Sequence, residues 1–281
     1  MTSQTVDHNR QLKAAVINDY SSFGRCSLAV SAPILAAMGV QCCPVPTAVF
    51  TNHTGFAHFS WADCTDRMDA YIEDWKATGL RFSAVASGFL ASVWQVDYVK
   101  RFVEAFRDEN LLVMVDPVMG DYGKLYRTFK PEVAARMSTL LDVADVLTPN
   151  FTEACILAGR DYCHDPSDAE LAEVASCLCE RHARAVVISG VPRGGHLANF
   201  IYAKGFEPEI VTTEKVGPDR SGTGDVFSSV ILGGLVRGKT MGEAVRTAVD
   251  FVSLSVRKAE EMGIPVTDGL PIEETLPKLW S

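Results

Sequence analysis

An acidic residue directly follows a glycine-rich turn in the stretch RSGTGDVFSS, residues 220–229. Gly222 and Gly224 let the backbone turn with its N–H groups exposed, and an apolar, helix-like run begins there. Free amides at the positive end of a helix attract anions, so this turn could stabilise charge on a phosphoryl group in transit. A carboxylate would repel a bound phosphate, which favours Asp225 as a base that takes a proton from an attacking hydroxyl. The competing interpretation is an aspartate that caps the helix.

A second acidic segment is VDPVMGDYGKLY, residues 115–126. Asp116 and Asp121 follow an apolar, strand-like run and are separated by a turn that contains proline and glycine. Hard oxygen ligands close to phosphates suit Mg²⁺, so the pair predicts a metal and phosphate site. Alternatively, the acids of this loop simply face water.

The third segment is LTPNFTEA, residues 147–154. Thr148 and Asn150 end a predicted strand, and Glu153 lies one turn into the next predicted helix. The same residues could form only a helix start, with Thr152 or Asn150 as the cap and the glutamate in the first turn.

A long polar and aromatic loop, FTNHTGFAHFS, occupies residues 50–60. Its aromatic residues and Thr54 could hold a flat heteroaromatic ring by stacking and a few hydrogen bonds. A histidine-bound metal is the competing idea. His53 and His58 have no carboxylate or third ligand nearby in the sequence, which argues against it.

Short β-branched runs alternate with helical patterns along the chain. Strands are predicted at 13–18, 40–49, 82–86, 111–116, 144–150 and 184–190, and a late hairpin at 199–203 and 209–216. Helices are predicted at 27–38, 63–78, 93–107 and about 167–181. Repeated β-then-α units predict an α/β fold with a central, mostly parallel sheet and helices on both faces. Pro44 and Pro46 indicate an edge or a bend in the second strand.

Polar residues collect where the predicted strands end. In parallel sheets, ligands bind beyond the carboxyl ends of the strands. These ends carry Asn18 and Asp19, Asp116 to Asp121, Thr148 to Asn150, and Ser189 and Gly190. We therefore expect the acidic segments and the glycine turn to meet at one edge of the sheet.

Residues 233–240 match the pattern G-x-x-x-x-G-K-T of a phosphate-binding P-loop. Leu235 and Val236 stand inside the supposed cradle, and no apolar strand that ends in a Mg²⁺-holding aspartate follows it. We expect instead a helix that ends at Gly238 and another that begins near Thr240.

Length and composition indicate a soluble globular enzyme. The chain has 281 residues, of which 47% are hydrophobic and 22% charged, with a formal net charge of -9. The acidic balance argues against nucleic acid as a partner. The first apolar run, residues 14–17, is too short for a membrane span or signal core, which predicts a cytoplasmic protein without a membrane partner. We expect a flexible tail at 1–11 and one domain at 12–281. The eight scattered cysteines are expected to be reduced thiols.

The segments TNHTGFAH, DPVMGD, LTPNFTEA and SGTGDVF, in this order, resemble the pyridoxal (vitamin B6) kinase branch of the ribokinase-like superfamily. The resemblance covers about residues 14–237. It implies a three-layer sandwich, a homodimer, and ATP-dependent phosphorylation of the 5′-hydroxymethyl group of pyridoxal, pyridoxine or pyridoxamine.

The resemblance also implies roles for individual residues. Asp225 would be the base, and Gly222, Thr223 and Gly224 the anion hole. The ATP and metal roles fall on Asp116, Asp121, Thr148, Asn150, Glu153 and Ser189, with Mg²⁺ at Asp121 and Glu153. A monovalent cation, expected to be K⁺, would lie near Asp116, Thr148 and Ser189. Thr54 and His53 would lie at the pyridine ring.

One position departs from the family pattern. Pyridoxal kinases commonly carry a serine where this chain has Asp19, and a carboxylate there could pair with a ring nitrogen or a cationic aminomethyl group. Hydroxymethylpyrimidine kinases commonly carry a cysteine at the position of Asp225, which argues against that assignment. A kinase of another small alcohol, either hydroxymethylpyrimidine or a sugar, and a non-enzymatic B6-binding protein remain the alternatives.

Overall fold

Eleven strands and eight α-helices make up the part of the chain that the computed structural model describes, residues 6–126 and 129–280. The strands are β1 Lys13–Phe23, β2 Gln41–Asn52, β3 Trp61–Asp63, β4 Ala84–Ser87, β5 Leu112–Val115, β6 Gly120–Asp121, β7 Lys124–Leu125, β8 Val146–Leu147, β9 Ala185–Arg193, β10 His196–Ala203 and β11 Glu209–Glu214. The helices are α1 Leu28–Ala37, α2 Thr65–Ala77, α3 Val93–Phe106, α4 Pro131–Met137, α5 Phe151–Ala158, α6 Asp168–Leu178, α7 Thr223–Val236 and α8 Met241–Met262.

Nine of these strands form one sheet in the order β11-β10-β9-β8-β5-β4-β1-β2-β3. Its six middle strands, from β9 to β2, are parallel to one another. The hairpin β10–β11 adds two antiparallel strands at one edge, and β3 adds one at the other. The mostly parallel sheet and the late hairpin predicted from the sequence are therefore confirmed.

Two hydrophobic clusters cover the two faces of this sheet. Along β1, Ala15 and Ile17 face the cluster that contains residues of helices α2 to α6. Ala14 and Val16 face the opposite cluster, which contains residues of α1, α7 and α8. The alternation follows from the two-residue period of a strand, and it explains why β1 is apolar throughout its first half. The predicted three-layer arrangement is confirmed.

The outer edge beyond β2 differs from the prediction in detail. The predicted helix at 63–78 begins only at Thr65, because residues 61–63 pair as β3 with Ala48–Phe50. Pro44 and Pro46 precede the part of β2 that pairs with β3. No described strand pairs with the outer side of β2 at these prolines, so their missing N–H groups cost no hydrogen bond there. The expected edge-like character of that segment is confirmed.

The last residues of the N-terminal segment contact the rest of the domain. Residues 1–5 of the predicted tail lie outside the described residues. The Asn9 side chain donates to the carbonyl of Gly79 (2.9 Å) and accepts from the N–H of Arg81 (2.8 Å).

Two further properties can be read from the described residues. All eight cysteines are free thiols. No described helix combines the length and the apolar character that crossing a bilayer requires.

The segment that matches the P-loop pattern forms the turn between α7 and α8. Gly238 adopts a left-handed φ of 85°, and Thr240 caps α8 in a capping box with Glu243. The Lys239 ammonium group donates to Thr247 within the same helix pair (3.1 Å). The predicted helix–turn–helix is confirmed, and the lysine does not line the large cleft described below.

This arrangement predicts the effects of two substitutions in the turn. Lys239→Ala should leave kcat and the KM for the expected nucleotide unchanged in steady-state kinetics, because the side chain does not line the large cleft. Thr240→Ala should lower the free energy of unfolding by about 1 kcal/mol, measured in urea, because the helix cap is lost. A large rise in the KM for ATP in the Lys239 variant would mean that the turn is a phosphate site.

Candidate active site

A single cleft of about 680 Å³ contains all the residues that the sequence predicted for the site. It lies beyond the carboxyl ends of the middle strands, and its volume is in the range of small-molecule sites. The predicted residues that line it are Asp19, His53, Thr54, Asp116, Asp121, Thr148, Asn150, Glu153, Ser189, Gly222, Thr223, Gly224 and Asp225.

The glycine turn forms the start of α7. Gly222 is the N-cap residue with a left-handed φ of 75°, and a Cβ atom there would lie 1.9 Å from the carbonyl oxygen of Arg25. The N–H groups of its first turn have no intrahelical acceptors, and no side chain among the described residues caps them. Because Gly222 to Gly224 line the cleft, an anion bound there would meet these amides at the positive end of the helix.

Asp225 lies in the first turn of α7 but does not cap it. Its Oδ1 accepts a hydrogen bond from Nδ2 of Asn18 (3.1 Å), which lies where the pairing of β1 with β2 shifts register. The capping interpretation is therefore wrong. Burial raises the pKa of Asp225 to about 6, the charge of Asp19 adds to this, and the Ser27 N–H and the Asn18 amide lower it. A carboxylate with a pKa near neutrality suits a general base.

Asp19 is a buried carboxylate in the same cleft. Its Oδ1 accepts from the Ser27 hydroxyl (2.6 Å) and its Oδ2 from the Ser21 hydroxyl (3.1 Å). Burial nevertheless raises the pKa of Asp19. Ser27 has a left-handed φ of 52°, which is uncommon for serine. This conformation brings its hydroxyl to Asp19 and its N–H towards Asp225.

His53 is bound to the protein through both ring nitrogens. Nδ1 accepts from the N–H of Gly55 (3.1 Å), so Nε2 carries the proton and donates to the carbonyl of Thr267 (2.7 Å). His53 therefore fixes the loop of residues 50–60 and presents its ring, not a free nitrogen, to the cleft. Thr54 lines the cleft beside it.

Asp116 lies deep in the cleft among other acids. Burial raises its pKa well above the usual range, and the charges of Glu153 and Asp225 raise it further. Thr148 Oγ1 is buried and has no hydrogen-bond partner among the described residues. Together with Ser189, which also lines the cleft, these oxygens fit the predicted site for a monovalent cation.

Glu153 joins α5 to the loop that carries Asp121. Its two carboxylate oxygens accept from the N–H groups of Asn150 and Met119, both at 2.9 Å, and Asn150 completes a capping box. Burial raises the pKa of Glu153 to about 8, against the effect of these N–H donors. Asn150, not Thr152, is the cap.

Asp121 is the more accessible of the two predicted magnesium ligands. Its Oδ1 accepts from the N–H of Tyr122 (2.8 Å), which leaves Oδ2 for a metal ion. The described residues contain no group of three or more His, Cys, Asp or Glu side chains arranged around a metal. One or two carboxylates suffice when phosphates and water supply the other ligands, which is how Mg²⁺ usually binds with nucleotides.

Several residues at the mouth of the cleft were not predicted from the sequence. Lys215 lines it and pairs with Asp219 (3.0 Å), whose other oxygen accepts from the Tyr122 hydroxyl. These contacts join the β6–β7 turn to the segment before α7. Single residues in loops form no pattern of spacing, so no signal in the sequence indicated them.

The role of Glu153 predicts a stability effect. Glu153→Gln replaces one acceptor by an amide group that faces a buried N–H, so the free energy of unfolding should fall by about 1–3 kcal/mol in denaturant titration. Glu243→Gln changes the same type of capping box on the exposed start of α8 and is the matched control. An equal fall in the free energy of unfolding in the two variants would contradict a contribution from the hydrogen bond between Glu153 and the Met119 N–H.

The chain is similar in sequence to known small-molecule kinases. The sequence model of the phosphomethylpyrimidine kinase family matches residues 34–268. The pyridoxal kinase of Arabidopsis thaliana is 30% identical over 210 residues, which are 71% of this chain and 66% of that enzyme. The hydroxymethylpyrimidine/phosphomethylpyrimidine kinase of Aquifex aeolicus is 24% identical over 203 residues, 70% of this chain and 74% of that one.

Solved structures match over nearly the whole chain. A Bacteroides thetaiotaomicron protein, described as a candidate phosphomethylpyrimidine kinase, superimposes with a TM-score of 0.95 at 36% identity, over 98% of this chain and 96% of that one. A second crystal form of it was solved with pyridoxal. The pyridoxal kinase of Lactobacillus plantarum gives a TM-score of 0.88 at 25% identity, over 95% and 96%.

Proposed function

The chain belongs to the phosphomethylpyrimidine kinase family, and we propose that it is an ATP-dependent kinase of B6 vitamers. It would phosphorylate the 5′-hydroxymethyl group of pyridoxal, pyridoxine and pyridoxamine. The observation that carries this proposal is the Asp225 carboxylate beside the uncapped start of α7, inside a cleft large enough for two small molecules. The pyridoxal kinases among the relatives and the Bacteroides structure with pyridoxal support it.

In the proposed reaction, Asp225 accepts the proton of the substrate hydroxyl as its oxygen attacks the γ-phosphorus of ATP. The amides of Gly222, Thr223 and Gly224 bind the negative charge that develops on the phosphoryl group. The bond to the ADP leaving group breaks as the new P–O bond forms. Most of the rate gain comes from positioning and electrostatics.

The acids of the cleft require cations if a nucleotide is to bind. Asp121 and Glu153 would hold Mg²⁺ together with the phosphates of ATP, and the ion supplies charge neutralisation. Asp116, Thr148 and Ser189 would hold a monovalent cation, with K⁺ as the expected ion. Asn150 lines the same part of the cleft and would contact the phosphates.

The ring of the substrate would lie between Asp19 and the loop that contains Thr54. Asp19 already accepts hydrogen bonds from two serines, which keeps its carboxylate fixed at the cleft wall. It would pair with a ring nitrogen or with the cationic aminomethyl group of pyridoxamine. The second contact would favour pyridoxamine over the other vitamers.

A hydroxymethylpyrimidine kinase is the second candidate, because the family model and relatives such as the Aquifex protein carry that description. The aspartate at position 225 argues against it, since those kinases commonly carry a cysteine there. A protein that only binds B6 would have no use for a base near an anion-binding helix start.

A homodimer is part of the proposal. Large apolar side chains are exposed along β1 to β3, where Tyr20 pairs with Val49 across the strands. Phe23 and Trp61 are 53% and 51% exposed on the same strands. A second copy of the chain would cover such a patch.

The eight free thiols support a cytoplasmic location, where a reducing environment prevails.

A turnover screen tests the substrate. The protein is incubated with ATP and pyridoxal, pyridoxine, pyridoxamine, hydroxymethylpyrimidine or ribose, and ADP release is followed with and without Mg²⁺ and K⁺. We expect turnover of the B6 vitamers that requires Mg²⁺ and is stimulated by K⁺. Turnover of hydroxymethylpyrimidine or ribose alone, or tight vitamer binding without ADP release, would refute the assignment.

The role of Asp225 predicts both a mutational and a pH effect. Asp225→Asn should lower kcat by about 10²–10⁴-fold with little change in the Kd for ATP, because the base is lost and the amides remain. In the unsubstituted protein, kcat/KM should fall as the pH falls through about 6, since protonation of a base with a raised pKa removes its function. The exposed Asp250→Asn on α8 is the control. Near-normal turnover by Asp225→Asn would exclude this base.

A further inference from the structure

We propose that Asn18 is a positioning residue for the base Asp225. Its side-chain amide donates a hydrogen bond to the carboxylate on the side away from the substrate cleft, which fixes the carboxylate and stabilises its ionised form. This inference rests on the proposed function only for the role of Asp225 as a base. It adds a residue to the machinery that neither the motifs nor the family resemblance includes.

The orientation of the Asn18 amide follows from its hydrogen bonds. Its Oδ1 accepts from two main-chain N–H groups, those of Asp19 (2.9 Å) and Phe89 (2.8 Å). An amide flipped by 180° would direct N–H groups at these two donors, so the oxygen must face them. Nδ2 is therefore directed at Asp225 Oδ1, 3.1 Å away. Asn18 makes the one side-chain hydrogen bond to the Asp225 carboxylate found among the described residues.

Asn18 acts from outside the substrate cleft. It is 4% exposed, and it is absent from the described residues that line the cleft. It lines instead a separate small cavity of about 20 Å³, together with Ser87 and Asp116. A Cβ atom on Gly88 would lie 2.4 Å from Asn18 Nδ2, so the glycine leaves the space that the amide occupies. Asn18 can therefore affect catalysis only through the groups that it contacts, namely the Asp225 carboxylate and the main chain of Asp19 and Phe89.

The surroundings of Asp225 explain why a donor is needed at this point. The titratable groups that face it are Asp19, Cys26, His53, Asp116 and Tyr126. Two of them are carboxylates, and burial also disfavours its charge. The Asn18 amide and the Ser27 N–H oppose these effects and keep the carboxylate ionised at neutral pH. With one oxygen held by Asn18, the other is left for the substrate hydroxyl.

Two substitutions separate this role from a structural one. Asn18→Asp keeps an oxygen for the N–H groups of Asp19 and Phe89 and replaces only the donor to Asp225. The two carboxylates would then share a proton that must leave before Asp225 can act as a base. Asn18→Ala removes the donor and the acceptor together. Ser87→Ala is the control, because Ser87 lines the same small cavity and its buried hydroxyl has no hydrogen-bond partner among the described residues.

The readout is the pH profile of kcat/KM, measured with whichever alcohol the protein turns over. We expect the acid limb of Asn18→Asp to move to higher pH by about one unit or more, which lowers kcat/KM about tenfold on the limb. Asn18→Ala should move the limb in the same direction and also lower the Tm. Ser87→Ala should leave the limb in place. If Asn18→Ala lowers only the Tm and neither Asn18 variant moves the limb, Asn18 is structural and the proposal is wrong.

A second measurement does not depend on turnover. The carboxyl ¹³C signal of Asp225 in aspartate-labelled protein, identified by its loss in Asp225→Asn, gives the titration midpoint of this residue directly. A midpoint that rises in Asn18→Ala supports the proposal even if no tested alcohol is a substrate. An unchanged midpoint overturns it, and an inactive protein with a raised midpoint refutes only the proposed function.

Discussion

The crowding of carboxylates at one edge of the sheet is the constraint on which the site depends. Burial raises the pKa of each acid that lines this part of the cleft, namely Asp19, Asp116, Asp121, Glu153 and Asp225. Several of them also raise one another's pKa, as Glu153 and Asp225 do for Asp116. Such a group of like charges persists in a folded protein only when donors or cations offset the repulsion.

Main-chain N–H groups supply much of this compensation. Because the parallel strands all end at the same edge, the loops after them bring many free N–H groups into one small volume. Glu153 uses the amides of Asn150 and Met119, and Asp225 lies at the uncapped start of α7. The chain's own donors satisfy Glu153 more completely than Asp116 or Asp121. Asp116 and Asp121, which remain under-compensated, are two of the three acids for which a cation role is proposed.

The sequence was most informative where a residue type is required by the local backbone. Gly222 could be predicted because a left-handed turn before a helix favours glycine, and Asp225 because its carboxylate has no obvious use in a phosphate-binding turn. Asn18 was predicted only as a polar residue at a strand end, and its contact with Asp225 was not, since the two lie 207 positions apart. The contact of Ser27 with Asp19 could not be predicted either. A serine before a helix normally indicates a cap, whereas this contact depends on a left-handed φ. The three-residue strand β3 was missed because it is too short to show a period.

The contact between Gly222 and the carbonyl of Arg25 has a mechanical consequence. The turn that would bind the phosphoryl group rests directly against the segment that carries Ser27, and the Ser27 hydroxyl donates to Asp19. Arg25 is itself tied to Glu273 near the C-terminus by a two-oxygen ion pair at 2.9 Å. A displacement of the glycine turn would therefore press on the segment that holds Asp19, so the two parts of the cleft are mechanically coupled.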